Sequence, residues 1–363
     1  MLQIDGYEGG GQILRTALAL SSLTNIPFEI NNIRGQRENS GLKAQHLEVI
    51  NTIKEISDAE VSEFKIGTNN LTFVPLKLKG LKKEIDIGTA GSITLFLQGT
   101  LMPLFFANKS STIKIQGGTD TKWAMPYDYF KEIYKPHIDK FAKSFDINLL
   151  KRGYYPKGQG VVELKINPKF KLNKYENFEE FRKNVEEETL KMNLTERGEL
   201  VQIRGICHAS KDLENKDVIN RMIHSSESKL KKYNVPIKIR SEYNNSNNNS
   251  DGSIGCGIFL YGVFTKDGDI NHTNPVRIGA DCLGEIKKSS EKVGEEAANN
   301  LIEQIDKNAP VDKYLADNLV PWAIFGGKFR ATEISNHTKL NVKTTNLFVK
   351  DKLKVVGDLV EKI

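Results

Sequence analysis

The feature that most constrains this chain is that it repeats itself. Gly11 to Gly35 reads as a helix (GQILRTALALSSLTN), a short strand (PFEINNI) and then Arg-Gly. Gly91 to Gly118 repeats the plan with SITLFLQGTLMPLFFA, STIKIQ and Gly-Gly. A fainter third copy runs through DNLVPWAIFG from Asp317, then KFRATEI, then Ser335-Asn336-His337. The first two helix-strand pairs each lead into a second helical pattern. In one, Leu42, His46, Val49, Ile53 and Ile56 recur at helical spacing. The other, PYDYFKEIYKPHIDKFA, opens on Pro126 and is expected to bend or break near Pro136. Strand patterns follow at Leu71–Val74 and Val161–Leu164. A period of roughly 80 residues, each unit a small sheet with two helices, predicts an α+β protein of packed α/β repeats.

Between the second and third copies the texture changes. Residues 169–199 are highly charged, and they lead into a strand (ELVQIRGICHAS) and a long amphipathic helix over 213–233. Two further strands, VPIKIRSEY and GCGIFLYGVF, are joined by the polar stretch NNSNNNSDGSI. This predicts a small α+β domain inserted over 195–275, leaving 1–194 and 276–363 as one discontinuous larger domain. A chain of 363 residues suits that division.

Composition narrows the class further. With 39% hydrophobic and 27% charged residues the chain is globular rather than disordered. No run approaches the roughly 18 apolar residues needed to cross a bilayer, so no membrane partner is expected. Met1–Asp5 lacks the basic and apolar regions of a secretory signal, and cytoplasm is the expectation. Cys207, Cys256 and Cys282 are too few and too scattered for a disulfide framework or a zinc site, which predicts free thiols. A net charge of +6 is compatible with a polyanionic ligand and diagnostic of none. Nothing in the pattern sets an oligomeric state.

Four groups of residues invite a chemical reading. Glu8-Gly9-Gly10-Gly11-Gln12 opens a helix that presents Arg15 one turn in. Glycines let backbone approach an anion, and a helix N-terminus offers unpaired N–H donors. Glu8 is placed to hold Mg²⁺ on a polyphosphate, although a plain glycine turn would look the same. Arg34 and Arg37, with Lys43, Gln45 and His46 on the next helix, form either a phosphate clamp or a solvated basic loop. His46 also fits a half-buried place against Val49 and Ile50. Gly117-Gly118-Thr119-Asp120, followed by Trp123-Ala124-Met125-Pro126, is an ordinary loop or a pocket floor. Tyr314 and Asp317 stand one helical turn apart, as a base-and-ribose site requires, and His337 follows twenty residues later. A lone histidine is more often structural, and His137, His208, His224 and His272 lie in no pattern.

Taken in order, these segments resemble the RNA 3′-terminal phosphate cyclase family. The resemblance spans essentially the whole chain through DGYEGGGQILRTALALS, IRGQRENSGLKAQHL, IGTAGSITLFLQ, QGGTD, RGYYPKGQGVVELKI, YLADNL and the NHT histidine. It implies a large domain of three repeats, each similar to the C-terminal domain of a bacterial translation initiation factor, plus a small inserted domain. It also implies ATP and Mg²⁺ (or Mn²⁺) as cofactors and RNA 3′-phosphate ends as partner, with closure to a 2′,3′-cyclic phosphodiester through an adenylated histidine and an RNA(3′)pp(5′)A intermediate. The family's nucleophile falls on His337, and its ATP contacts fall on Glu8, Gln12, Gln98, Pro126, Tyr314 and Asp317, with Glu8 toward the metal. Its phosphate and RNA contacts fall on Arg15, Arg34, Arg37, Gln45 and His46. Two positions depart from the family pattern: Gln159 interrupts a run of glycines, and Met125 replaces a second proline beside Pro126. The alternative is a non-catalytic, cyclase-like factor in ribosomal RNA processing. Such relatives lack the nucleophile, and His337 with Tyr314 and Asp317 argues against that reading. An enolpyruvyl-type transferase shares the repeat fold but leaves YLADNL and NHT unexplained.

Overall fold

The structure is a computed structural model that describes residues 1–244 and 252–363. Three stretches of chain follow one connection, β-α-β-α-β-β. The first comprises β1 (Leu2–Asp5), α1 (Gln12–Thr24), β2 (Phe28–Asn31), α2 (Ala44–Ser57), β3 (Glu60–Val61) and β4 (Leu71–Val74). The second runs through β5 (Lys82–Asp86), α3 (Ile93–Phe105), β6 (Ser111–Gly117), a broken helix of α4 (Tyr127–Tyr129) and α5 (Lys135–Ile138), β7 (Ala142–Lys151) and β8 (Gly160–Pro168). A linking helix α6 (Phe178–Glu188) precedes the third, which begins with β9 (Asn193–Leu194). There the chain leaves for the inserted unit of β10 (Glu199–Ser210), α7 (Val218–Leu230), β11 (Ile237–Asn244), β12 (Cys256–Thr265), β13 (Val276–Leu283) and α8 (Ser290–Asp306). It returns as α9 (Lys313–Leu319), β14 (Lys328–Arg330), α10 (Asn336–Phe348), β15 (Leu353–Val356) and β16 (Leu359–Lys362).

The three repeat sheets share one order, β1-β2-β4-β3, β5-β6-β8-β7 and β9-β14-β16-β15. In each, the first two strands run parallel and the rest pair antiparallel. The expected repeats are therefore present, and each also has an opening strand that the sequence did not announce. The first helices lie innermost: α1 is buried from Gln12 to Leu23, and α3 is buried almost as completely. α3 is apolar nearly all round, as suits a helix inside a core, and α1 packs against it. α2 is amphipathic as expected, turning Val49, Ile50, Ile53 and Ile56 inward. The bend near Pro136 takes the form of a π-helical turn over Phe130–Tyr134 before Pro136 restarts a regular turn. Proline has no N–H to give the preceding turn, so the ladder widens there.

Two expectations need correction. The charged stretch 169–199 is more than an approach to the insertion, because α6 buries Phe178, Phe181, Arg182 and Val185. Arg182 is neutralised by Glu179, Glu186 and Asp351, at 3.1, 3.1 and 2.6 Å, so the buried cation is paired. The insertion also does not end at 275. Its sheet has the order β11-β10-β12-β13, and its separate core joins Ile203, Met222 and Leu260 to Val293, Ala297 and Leu301 of α8. Residues 276–306, assigned from sequence to the larger domain, belong to this sheet and core because β13 pairs with β12 from Gly257 to Phe264 and α8 packs into the same core. Of the polar stretch NNSNNNSDGSI, residues 245–251 lie outside the described residues. The three cysteines are free, and among the described residues no helix is long and apolar enough to cross a membrane.

Candidate active site

The site forms where the inner helices of the three repeats meet. Arg15, one turn into α1, is buried and donates from Nε to Oε1 of Gln98 on α3 at 3.1 Å. Gln98 in turn donates from Nε2 to Oδ1 of Asn318 on α9 at 2.7 Å. Asn318 donates to Oδ1 of Asp317 at 2.8 Å, so one chain of hydrogen bonds links all three repeats. A second path runs from the Thr16 hydroxyl to Asn341 Oδ1 at 3.0 Å, and from Asn341 Nδ2 to the Asp317 carbonyl at 2.9 Å. Asp317 is thereby fixed in backbone and side chain.

His337 lies beside it, with Nδ1 3.8 Å from Asp317 Oδ2. Ser335 caps α10 by accepting the Thr338 N–H at 3.1 Å, which leaves the neighbouring imidazole outside the helix hydrogen bonds. Partial burial and then the charges of Arg15 and Arg37 push the His337 pKa below its usual 6.5, so the ring is neutral near pH 7. Burial raises Asp317 to about 7, against the pull of Arg15. Burial also lowers Arg15 to about 10, which leaves it charged.

The glycine loop stands opposite. Gly11 caps α1 without a side-chain acceptor, so the first-turn N–H groups remain open to an anion. A Cβ on Gly11 would come within 2.2 Å of His46 Nε2 and 2.7 Å of Arg15 Nη1, so only glycine admits this approach. Gln12 is buried in the same place, and its Nε2 finds no partner among the described residues. Arg37 reaches over Gly10, 3.7 Å from a Cβ placed there. Glu8 is exposed at the head of the loop. His46 is 3% exposed and accepts the Lys43 N–H through Nδ1 at 2.9 Å. Burial, then Arg15, Arg34 and Lys43, lower it to about 3. A neutral imidazole that accepts at Nδ1 carries its proton on Nε2, the atom turned toward Gly11.

On the remaining side, Tyr314 is partly exposed and meets Tyr129 of α4 edge-on, with centroids 6.5 Å apart. Pro126 caps α4 one turn earlier, beside Met125, whose carbonyl takes the Thr94 hydroxyl at 2.6 Å. Two of the expected phosphate groups are engaged elsewhere. Arg34 donates from Nη1 to the carbonyls of Asn39 and Gly41, at 2.8 and 2.9 Å, and so braces its own loop. Gln45 accepts the Ser92 N–H at 3.2 Å, tying α2 to the start of α3.

Sequence reasoning missed two features. Asp312 is fully buried and accepts from Tyr129 OH and from the N–H groups of Tyr314, Leu315 and Gly279, at 2.6–3.0 Å. It thus joins α9 to β13 of the insertion. Arg152 is likewise buried among Asp120, Asp128 and Glu242, and Asp120 also faces His208 Nε2 at 3.3 Å. Asp120, Asp128 and His208 have the spacing of a metal site, but the Arg152 guanidinium already compensates their charge. The only advance signals were QGGTD and the RGYYPKGQG hairpin.

Comparison with known proteins places the chain in a family. The RNA 3′-terminal phosphate cyclase family model matches residues 7–355. The chain belongs to that family. RNA 3′-terminal phosphate cyclases of Pyrococcus furiosus and Saccharolobus solfataricus are each 37% identical to it, covering 100% and 98% of this chain and 97% of their own lengths. The cyclase of Archaeoglobus fulgidus is 35% identical over 99% of this chain and 98% of its own. The match to the family begins at Tyr7, ahead of the glycine loop, and ends beyond His337, so the whole site lies within it.

Proposed function

We propose that this chain uses ATP to convert an RNA 3′-terminal phosphate into a 2′,3′-cyclic phosphodiester by way of an adenylated histidine. The observation that carries the reading is the half-exposed imidazole of His337 beside Asp317, within the field of Arg15 and Arg37. Proximity to Asp317 favours the proton on Nδ1 and leaves the Nε2 lone pair to attack the α-phosphorus of ATP. Pyrophosphate departs as the N–P bond forms. The RNA 3′-phosphate then displaces His337 and takes the adenylyl group. Finally the vicinal 2′-OH attacks the activated 3′-phosphorus, loses its proton and expels AMP. That closure is intramolecular, and well-oriented cases reach effective molarities of about 10⁵–10⁸ M, so little general-base help is needed.

The chain's own groups fit the charge that must be met. The uncapped N-terminus of α1, the unpartnered Gln12 amide and His46 Nε2–H gather around Gly11, with Arg15 and Arg37 beside them, a set of donors that suits an anion. Tyr314 and the Pro126 turn offer faces for the base, and Asp317 offers an acceptor for the ribose. Glu8 is an exposed carboxylate at the same loop and would hold Mg²⁺ or Mn²⁺, which when bound neutralises triphosphate charge. The test is incubation with α-³²P-ATP. Acid-labile, alkali-stable label on the protein, discharged by a 3′-phosphorylated oligoribonucleotide to a phosphatase-resistant end, is the expected result. Absence of labelled protein under conditions that cyclise RNA would overturn it.

A further inference from the structure

Trp123 is 95% exposed and sits at φ +62°, a left-handed conformation that bulky residues avoid. Its exposure does not come from looseness, because the loop around it is clamped. Thr119 and Asp120 donate their N–H groups to the Gly153 carbonyl, at 2.9 and 3.2 Å, and Tyr127 N–H returns to the Thr119 carbonyl at 3.0 Å. Arg152 holds Asp120 on one side of the loop and Asp128 on the other. Lys122 pairs with Glu285 at 2.8 Å, which brings up the loop that carries Ile286, itself 94% exposed. A bridge between Asp120 and Tyr154 adds the hairpin of Tyr155, also exposed. Among the described residues, the exposed Lys157 and Lys287 on these loops enter no ion pair. Open clefts flank the surface, about 460 Å³ beside Lys157 and about 740 Å³ beside Lys287.

From this arrangement we infer that Trp123 is a stacking platform for a base of the single-stranded RNA that precedes the 3′-phosphate, with Tyr155 and the two lysines following the backbone. An exposed aromatic set among unpaired cations matches what single-stranded nucleic acid needs, a π-face for each base and positive charge for the phosphates. The loop is also continuous with the site, since three residues after Trp123 the chain reaches Pro126, the cap of α4, whose Tyr129 meets Tyr314. Stacking tolerates any base, so the surface would add affinity without reading sequence.

The inference rests on RNA being the substrate, and the experiment separates the two. Trp322 is buried among Phe105, Phe106 and Phe141, so long-wavelength tryptophan emission reports on Trp123. A 3′-phosphorylated oligoribonucleotide should quench that emission and shield it from acrylamide. Trp123→Ala should bind the oligonucleotide about ten- to hundred-fold more weakly, Trp123→Phe should recover much of the loss, and both should form the labelled histidine adduct at the wild-type rate. An oligonucleotide abasic over its last nucleotides should bind the wild type as weakly as intact RNA binds Trp123→Ala. Equal RNA affinity in wild type and Trp123→Ala, with adduct formation intact, overturns the platform and leaves the proposed reaction standing. A sedimentation change in Trp123→Ala without a change in RNA affinity would instead assign the patch to self-association and also overturn it.

Discussion

Repeats one and three each place a histidine in the first turn of the helix that follows their second strand, and the two histidines have opposite fates. His46 is buried, and its Nδ1 lone pair is taken by the Lys43 N–H. The ring therefore makes the reciprocal half of a capping box, taking the N–H of the N-cap residue Lys43 from the third helical position. In the third repeat Ser335 supplies the capping oxygen, and the His337 side chain remains 52% exposed. A nucleophile needs an unshared electron pair as well as a reachable ring. His46 offers the site only an N–H, which suits holding a phosphate, whereas His337 offers a lone pair. His46 stands at the third helical position, where its ring reaches back to the N-cap N–H, whereas in α10 that position is Thr338 and His337 stands one residue earlier, out of reach of the cap.

The sharpest test of this contrast is the adduct itself. His337→Ala and His337→Asn should abolish covalent attachment of AMP, while His46→Ala should still form it, more slowly. An adduct in His337→Ala that vanishes in His46→Ala would reverse the assignment. Next in size, Asp317→Ala should weaken ATP use by about 1–3 kcal/mol, the scale of a lost hydrogen bond to a polar ligand group. Single-turnover adenylation across ATP concentrations reads this directly, and an effect confined to RNA affinity would move Asp317 away from the nucleotide.

Capping effects come third. Ser335→Ala should cost about 1 kcal/mol in urea unfolding, the usual loss for a side-chain N-cap. His46 also imposes a pH dependence. Its folded pKa lies at about 3 against an ordinary 6.5, so the unfolded chain takes up a proton that the folded one refuses. Stability from His46 is full above about 6.5 and is lost as pH falls toward about 3. Buried His137, also lowered to about 3, adds a second such slope. His46→Gln should therefore flatten the acid loss of stability only in part, and an unchanged slope would show that His46 titrates normally. The smallest effect belongs to Arg37→Ala. Arg37 helps lower the His337 pKa, so its removal should move the acid limb of the adenylation profile to higher pH and slow AMP transfer to RNA. A limb that stays in place would detach Arg37 from the histidine.

Much of the molecule was legible because its signals are local. The helices α1, α2 and α3 announce themselves through apolar spacing and glycine punctuation. The strands β1, β5 and β9 do not, since edge strands of two to five residues carry no usable period. α6 read as a charged linker because nothing local reveals that Arg182 turns inward onto Asp351, 169 residues away. The end of the insertion was misplaced for a related reason: only pairing with β12 shows where β13 belongs. Within the candidate site, what each residue already bonds to stayed hidden. Arg34 is occupied by carbonyls of its own loop and Gln45 by Ser92. Arg152 gathers carboxylates from positions 120, 128 and 242, a set no window of sequence contains.

By itself the amino-acid sequence determined the threefold repeat, the glycine-opened helix and the family to which the chain belongs. Those follow from backbone freedom, side-chain periodicity and residue order, all written along the chain. Which histidine keeps a free lone pair, which arginines face the site and how the insertion locks onto α9 were decided by the tertiary structure alone. Each of these depends on which hydrogen-bond partner reaches a buried polar atom first, and distant segments supply that partner only when the chain packs.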